Sequence, residues 1–254
     1  MIDFVKNLIA PPRCAGCGER LSIFDGASEK AFCNTCRGKW EKAKRSMCSG
    51  CKRENVECIC RVKALRGTKI LSLIKFGSDP SCDRLIYALK RRRNERFFDF
   101  TVDELYRRLI SEGNLLTGDL SKIVFANVPR SIGSKNTFGF DHAKILAMSL
   151  ANKTGGEYRR LLLRRLGGKA QKKLSEEERQ NNVKNRFIFN PSEELDGETI
   201  VLVDDVVTTG ATASECVKAL REKGAKEIVL LTIARAERKK SKNTTKKGKN
   251  DGAV

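Results

Sequence analysis

Residues 199–234 read TIVLVDDVVTTGATASECVKALREKGAKEIVLLTIA. The unbroken apolar run from Ile200 to Val203 is the pattern of a strand buried on both faces of a parallel sheet. Ala213, Cys216, Val217 and Leu220 then recur on one helical stripe, which stops at Gly224. Residues 227–234 supply a second apolar strand. A strand, a helix and a strand of these lengths form a right-handed crossover, so an α/β fold with a parallel sheet flanked by helices is expected.

The preceding stretch repeats the alternation. TKILSLIKF (68–76) reads as a strand, and PSCDRLIYALKRRR (80–93) and FTVDELYRRLISEG (100–113) read as helices. KIVFANVP (122–129) is a strand that Pro129 ends. DHAKILAMSLANKTGG (141–156) sets Ala143, Leu146, Ala147 and Leu150 on one stripe and stops at paired glycines. Cys82 and Cys216 stand alone and are expected in the core. KRRRNER (90–96) is either a phosphate-contacting surface or a solvated helix end.

The front of the chain follows other rules. Eight of the ten cysteines fall within the first 60 residues. Cys14, Cys17, Cys33 and Cys36 are spaced C-x2-C-x15-C-x2-C, and Cys48, Cys51, Cys58 and Cys60 are spaced C-x2-C-x6-C-x-C. Thiolate pairs on tight turns can occupy two corners each of a Zn²⁺ tetrahedron. Redox pairs and buried thiols are the other readings, which two successive quartets in so short a stretch disfavour. Four thiolates leave no open position, so the expected role is structural. With few apolar residues in the segment, metal binding would supply its folding energy. Spacing alone does not decide whether the quartets are sequential or interleaved. Trp40, the single tryptophan, is expected to pack this module rather than stack on a base.

Three units are therefore expected: a cysteine-rich zinc module over 1–62, an α/β domain over 63–235, and a basic tail over 236–254. The formal charge of +20 over 254 residues favours polyanionic partners. Part of it is concentrated in the polar tail, read as solvated chain or a nucleic-acid-binding arm. No apolar run reaches the length of a membrane span. The start, MIDFVKNLIAPPRC, breaks at Pro11-Pro12 and does not read as an export signal. A cytoplasmic protein with reduced cysteines is expected.

Ligands of open parallel sheets bind at the carboxyl ends of the strands. Asp204 and Asp205 stand at that end of a buried strand, and Thr208, Thr209, Gly210, Ala211 and Thr212 form the turn into the next helix. Gly210 permits close approach of the backbone, and successive N–H groups at the helix start form an anion nest. Two carboxylates beside such a nest would repel a bare phosphate. They suit a ligand that also offers vicinal hydroxyls, a ribose 5-phosphate. The Walker pattern for nucleotide phosphates is absent. His142, the only histidine, is open to two readings: a surface or helix-capping residue, or an imidazole base.

VLVDDVVTTGAT resembles the ribose-phosphate motif of type I phosphoribosyltransferases. Together with the cysteine pairs, VPRSIGSKNTFGFDHAKILA (128–147) and QKKLSEEERQNNVKNRF (171–187), it makes the chain similar to the ComF family from Met1 to about Arg235. That family is linked to DNA uptake in competence and joins a zinc module to a phosphoribosyltransferase-like domain. The resemblance implies that 5-phosphoribosyl pyrophosphate binds with Mg²⁺. It assigns Asp204 and Asp205, flanked by Val203, Val206 and Val207, to the ribose hydroxyls and Thr208 to Thr212 to the 5-phosphate. Pro129, Arg130 and Ser131, after Val128, fall to a pyrophosphate loop. Lys169, Gln171, Lys172 and Arg179 fall to a closing loop over 165–182 that excludes water and stabilises the leaving group.

Two departures bear on the pyrophosphate contacts. Phe138-Gly139-Phe140-Asp141 stands where the family carries Arg-Gly-Phe-Asn, and Gly168 stands where threonine is common. Transfer to an acceptor base is one implied activity. A non-catalytic adaptor that keeps the pocket and associates with single-stranded DNA and competence-machinery proteins is the other.

Overall fold

The computed structural model describes residues 11–21, 31–47, 54, 65, 67–91, 94–111, 120–130, 140–165 and 186–236. Cys48, Cys51, Cys58, Cys60, Ser131, Lys169, Lys172, Arg179 and the basic tail lie outside them.

The described elements run in the order α1 (Asn34–Lys44), β1 (Lys69–Phe76), α2 (Pro80–Arg91), α3 (Glu95–Ile110), β2 (Val124–Asn127), α4 (His142–Thr154), β3 (Glu157–Tyr158), β4 (Leu162–Arg164), β5 (Phe187–Phe189), β6 (Thr199–Val207), α5 (Ala211–Arg221) and β7 (Glu227–Ala236). Five strands form one sheet in the order β1-β7-β6-β2-β3, and every pairing in it is parallel. β4 and β5 form a separate antiparallel pair. The expected α/β class is what the chain adopts. The β4–β5 pair lies in a stretch the sequence reading left without strands.

Local chemistry sets the helix limits. Pro80 opens α2, where its fixed φ and missing N–H cost nothing. Asn94 caps α3 by accepting the N–H of Phe97, and Asp141 caps α4 by accepting that of Lys144. The residue that departs from the family's asparagine therefore does an asparagine's work at a helix start. Gly155 ends α4 at φ +76°, in the left-handed region. Its neighbour Gly156 is needed for a different reason: a Cβ there would lie 2.7 Å from the Ile123 carbonyl oxygen.

β6 and β7 are buried on both faces, with Ile200 to Val203 and Val229 to Leu231 fully enclosed. One face packs against α2, α3 and α4, and the other against α5 and the β4–β5 hairpin. Cys82 and Cys216 are buried, one on each face, as expected.

The front segment shares the first of these cores. Trp40 of α1 is fully enclosed, 5.4 Å from the ring of Phe100 and 5.6 Å from that of Phe32. Burying an indole is worth on the order of 4–5 kcal/mol by area. Its Nε1 donates to Glu104 of α3 at 2.9 Å, and Glu104 also accepts from Lys44, Arg37 and Arg107. Trp40 thus packs the cysteine-rich segment, as the sequence suggested, and also ties that segment to the α/β body.

Candidate functional site

The carboxyl edge of the sheet opens into a cleft of about 340 Å³. Along β6, side chains alternate between faces, so adjacent carboxylates separate. Asp205 turns toward α4 and α2, where His142 Nε2 lies 2.5 Å and Lys90 Nζ 2.9 Å from its Oδ2. Its Oδ1 accepts the N–H of Val206 at 2.5 Å. Burial works against the charge of Asp205, but His142 and Lys90 outweigh it and hold the carboxyl well below the usual range. Asp204 forms no ion pair among the described residues and feels Lys90 only at a distance. Burial, and then the neighbouring charge of Asp205, push its carboxyl well above the usual range.

After β6 the chain turns through Thr208 and Thr209, both exposed, to Gly210 at φ +79°. Gly210 offers no side-chain cap to α5; Thr209 Oγ1 accepts the Ala211 N–H in a long contact of 3.4 Å, and the first turn of the helix, Ala211 to Ala213, lines the cleft. Val207 and Ala211 to Ala213 complete that wall. Val128, Pro129 and Arg130 enter from the end of β2, where Val128 N–H donates to the Val203 carbonyl at 3.0 Å. The side chain of Val203 itself is in the core, so it serves the site only through its backbone. The expected residues Asp204 to Thr212, with Pro129 and Arg130, are therefore brought together around one cleft.

Three lining residues, Lys90, Arg164 and Arg186, and one buried residue behind the cleft, His142, have no place in the sequence-based assignment of this pocket. His142 is 1% exposed, so it is neither a surface residue nor the helix cap, which is Asp141. It orients Asp205. Since an ionised carboxylate only accepts, the proton of this contact sits on Nε2, and Nδ1 is buried with no hydrogen-bond partner among the described residues. Lys90, noticed only as part of a basic run, reaches the cleft because α2 ends there. Arg164 and Arg186 come from the β4–β5 hairpin. The run of cations 90–96 and the string ending in Arg186-Phe187 were the available signals; nothing local says which of these charges turn inward.

The cysteine cluster lies apart. Cys14, Cys17, Cys33 and Cys36 bring their four sulfurs within 4.8 Å of one another, with Cys17 and Cys33 at 3.8 Å. Tetrahedral Zn–S bonds require sulfurs ~3.8 Å apart. Burial would raise the Cys14 thiol, but N–H groups of Cys17, Cys33 and Gly16 directed at its sulfur hold it at about 7. The donor set is compatible with structural zinc. Cys33 caps α1, and Arg84 of α2 donates to the Gly16 carbonyl at 2.8 Å, so the knuckle is braced from both sides.

Comparison with known proteins agrees with this architecture. A phosphoribosyl transferase domain matches residues 146–252. Competence protein F of Haemophilus influenzae is 25% identical over 231 residues, covering 80% of this chain and 96% of its own. Competence protein ComFC of Bacillus subtilis is 26% identical over 220 residues, covering 82% and 85%. Among solved structures, an allosteric regulatory enzyme of purine biosynthesis aligns at 24% identity and a TM-score of 0.34, over 54% of this chain and 26% of its own. A purine phosphoribosyltransferase from Pyrococcus horikoshii aligns at 17% identity and a TM-score of 0.34, over 54% and 71%. Overlaps that loose carry no functional weight.

The parallel sheet and the domain match define a phosphoribosyltransferase-type fold behind a cysteine cluster. The chain is a ComF-like protein, related to competence proteins F and ComFC over about four fifths of its length. Among the described residues no helix is long and apolar enough to cross a membrane.

Proposed function

We propose that the cleft binds 5-phosphoribosyl pyrophosphate with Mg²⁺ and transfers the phosphoribosyl group to an acceptor. The observation that carries this reading is the pair Asp204 and Asp205, set directly before a helix start in one cleft. The amides of the 208–212 turn would hold the 5-phosphate. Asp205, locked by His142 and Lys90, would accept from one ribose hydroxyl without rotating. Asp204 would accept from the other. Burial and the neighbouring Asp205 charge raise its affinity for protons, and a divalent ion arriving with the ligand would offset both. Such an ion would neutralise charge developing on the departing pyrophosphate. Arg130 and Lys90 line the same cleft and would stabilise that charge. The reading extends to Ser131, Lys169, Lys172 and Arg179 as further leaving-group contacts.

Zinc at the first cysteine quartet, a second ion at Cys48, Cys51, Cys58 and Cys60, a cytoplasmic location and a role in competence belong to the same proposal. The sulfur geometry supports the first quartet and the names of the relatives support the role in competence; the second ion and the location rest on the sequence pattern alone.

Calorimetric titration of the full chain with 5-phosphoribosyl pyrophosphate and Mg²⁺, beside the Asp204→Asn/Asp205→Asn double variant, tests the pocket. Binding lost in the variant is expected; equal binding by both proteins refutes the assignment. The charge of +20 favours a second reading, a DNA-associated adaptor. Salt-sensitive DNA binding indifferent to the double variant, without turnover of the donor, is its signature.

A further inference from the structure

The donor reading uses the 208–212 turn, the two carboxylates and the ends of β2 and α2. It leaves the β4–β5 wall unassigned, where Arg164, Arg186 and Phe187 line the cleft. The hairpin register sets Arg164 directly across from Phe187, and its guanidinium carbon lies 5.4 Å from the centroid of that ring. Phe187 is part of the core, so its ring is a fixed floor on which the guanidinium rests. Arg186 adjoins it, with its carbonyl accepting the N–H of Arg165 at 2.8 Å. Arg164 forms no ion pair among the described residues. Burial, and then the Arg186 charge, depress its pKa, so this cation is short of negative charge.

A neutral base is held by an apolar slot and by groups that match its hydrogen bonds. A planar guanidinium held in place on this wall instead matches an oxyanion fork. We propose that the β4–β5 wall takes the acceptor, and that the acceptor is a small planar nitrogen ring bearing a carboxylate. This rests on the donor reading above. In the transfer, the lone pair of the unprotonated ring nitrogen forms a bond to C1 of the ribose. The bond from C1 to the pyrophosphate oxygen breaks and its electron pair leaves with pyrophosphate. No proton moves, and the carboxylate stays paired with Arg164 throughout.

Nicotinate and nicotinamide share a ring and differ in charge, so they isolate the claim. With full-length, metal-loaded protein, 5-phosphoribosyl pyrophosphate and Mg²⁺, pyrophosphate release and calorimetric affinity are measured for each. Nicotinate is expected to be favoured at least about tenfold, the worth of one charge-assisted hydrogen bond. Arg164→Gln is expected to reduce that preference to within about twofold of unity, with its donor affinity measured in the same titration. Equal use of acid and amide by the natural protein overturns the proposal. So does an Arg164→Gln variant that weakens donor and acid alike, which would place the arginine on pyrophosphate. A natural protein that does not bind the donor fails at the earlier step, the donor reading itself.

Discussion

Asp204 and Asp205 are neighbours of the same type, yet their substitution should move stability in opposite directions. Asp205 accepts from His142 and Lys90 at 2.5 and 2.9 Å. Hydrogen bonds to charged groups contribute roughly 1.5–3 kcal/mol each. Lys90 remains 26% exposed, so its share is reduced by solvent. Asp205→Asn should therefore lose about 2–3 kcal/mol in the ligand-free protein. Among the described residues Asp204 accepts only the N–H of Asp205, through Oδ1, a bond that an asparagine oxygen keeps. Asp204→Asn removes the repulsion and the buried charge, and should gain about 0.5–1.5 kcal/mol at neutral pH.

The pH dependence has opposite signs too. The folded-state pKa of Asp204 is raised, so its charge costs stability above the unfolded value and costs nothing below it. The advantage of Asp204→Asn should therefore vanish as pH falls toward the unfolded carboxyl pKa of about 3.9. The folded pKa of Asp205 is depressed, so its contribution is present above the unfolded value and is lost only as pH falls further, through its folded pKa. Urea unfolding of the two single variants, without ligand and at several pH values, reads both effects. Shifts of the same sign at neutral pH would refute the division of roles between the carboxylates.

Three further outcomes follow from the packing. Glu104 is 2% exposed and is held below the usual carboxylate range: burial opposes its charge, but hydrogen bonds from Lys44 and Trp40 and the nearby cations prevail. Glu104→Ala should cost about 3 kcal/mol, chiefly by stranding the Trp40 N–H, with Glu104→Gln costing less; a midpoint shift in urea under about 1 kcal/mol would contradict this. Gly156→Ala should cost about 1–3 kcal/mol by calorimetry, because its Cβ meets the Ile123 carbonyl and the Phe125 ring at 2.7 and 3.0 Å. Cys36→Ser should lower bound zinc by atomic absorption and also lower the thermal midpoint of the whole α/β body, since Cys36 lies on the helix that inserts Trp40 into the shared core; metal loss with an unchanged midpoint would show the module to be energetically separate.

What could be read along the chain were the features whose physics is local. Apolar runs and stripes mark β1, β2, α2 to α5, β6 and β7, because burial on one or two faces imposes a period on the residues that endure it. The turn after β6 is legible for a similar reason: a glycine in the left-handed region at a helix start is marked by its residue type and its place between strand and helix. Paired thiols two residues apart announce a metal knuckle. The short strands β4 and β5, of three residues each, carry too little pattern to stand out, and the arginines at their ends went unassigned with them.

The tertiary structure decided which of many charges matter. A chain with 51 lysines and arginines gives no local sign that Lys90, Arg164 and Arg186 turn into one cleft. That depends on where α2 ends and on how the hairpin sits beside α5, both set by long-range packing. The same holds for His142, separated by 63 residues from the carboxylate it orients, and for Trp40, 64 residues from Glu104. Sequence patterns record how each segment meets its own neighbours along the chain. The pairing of buried charges is settled only when the sheet brings distant segments together, because desolvation and ion pairing depend on distance in space.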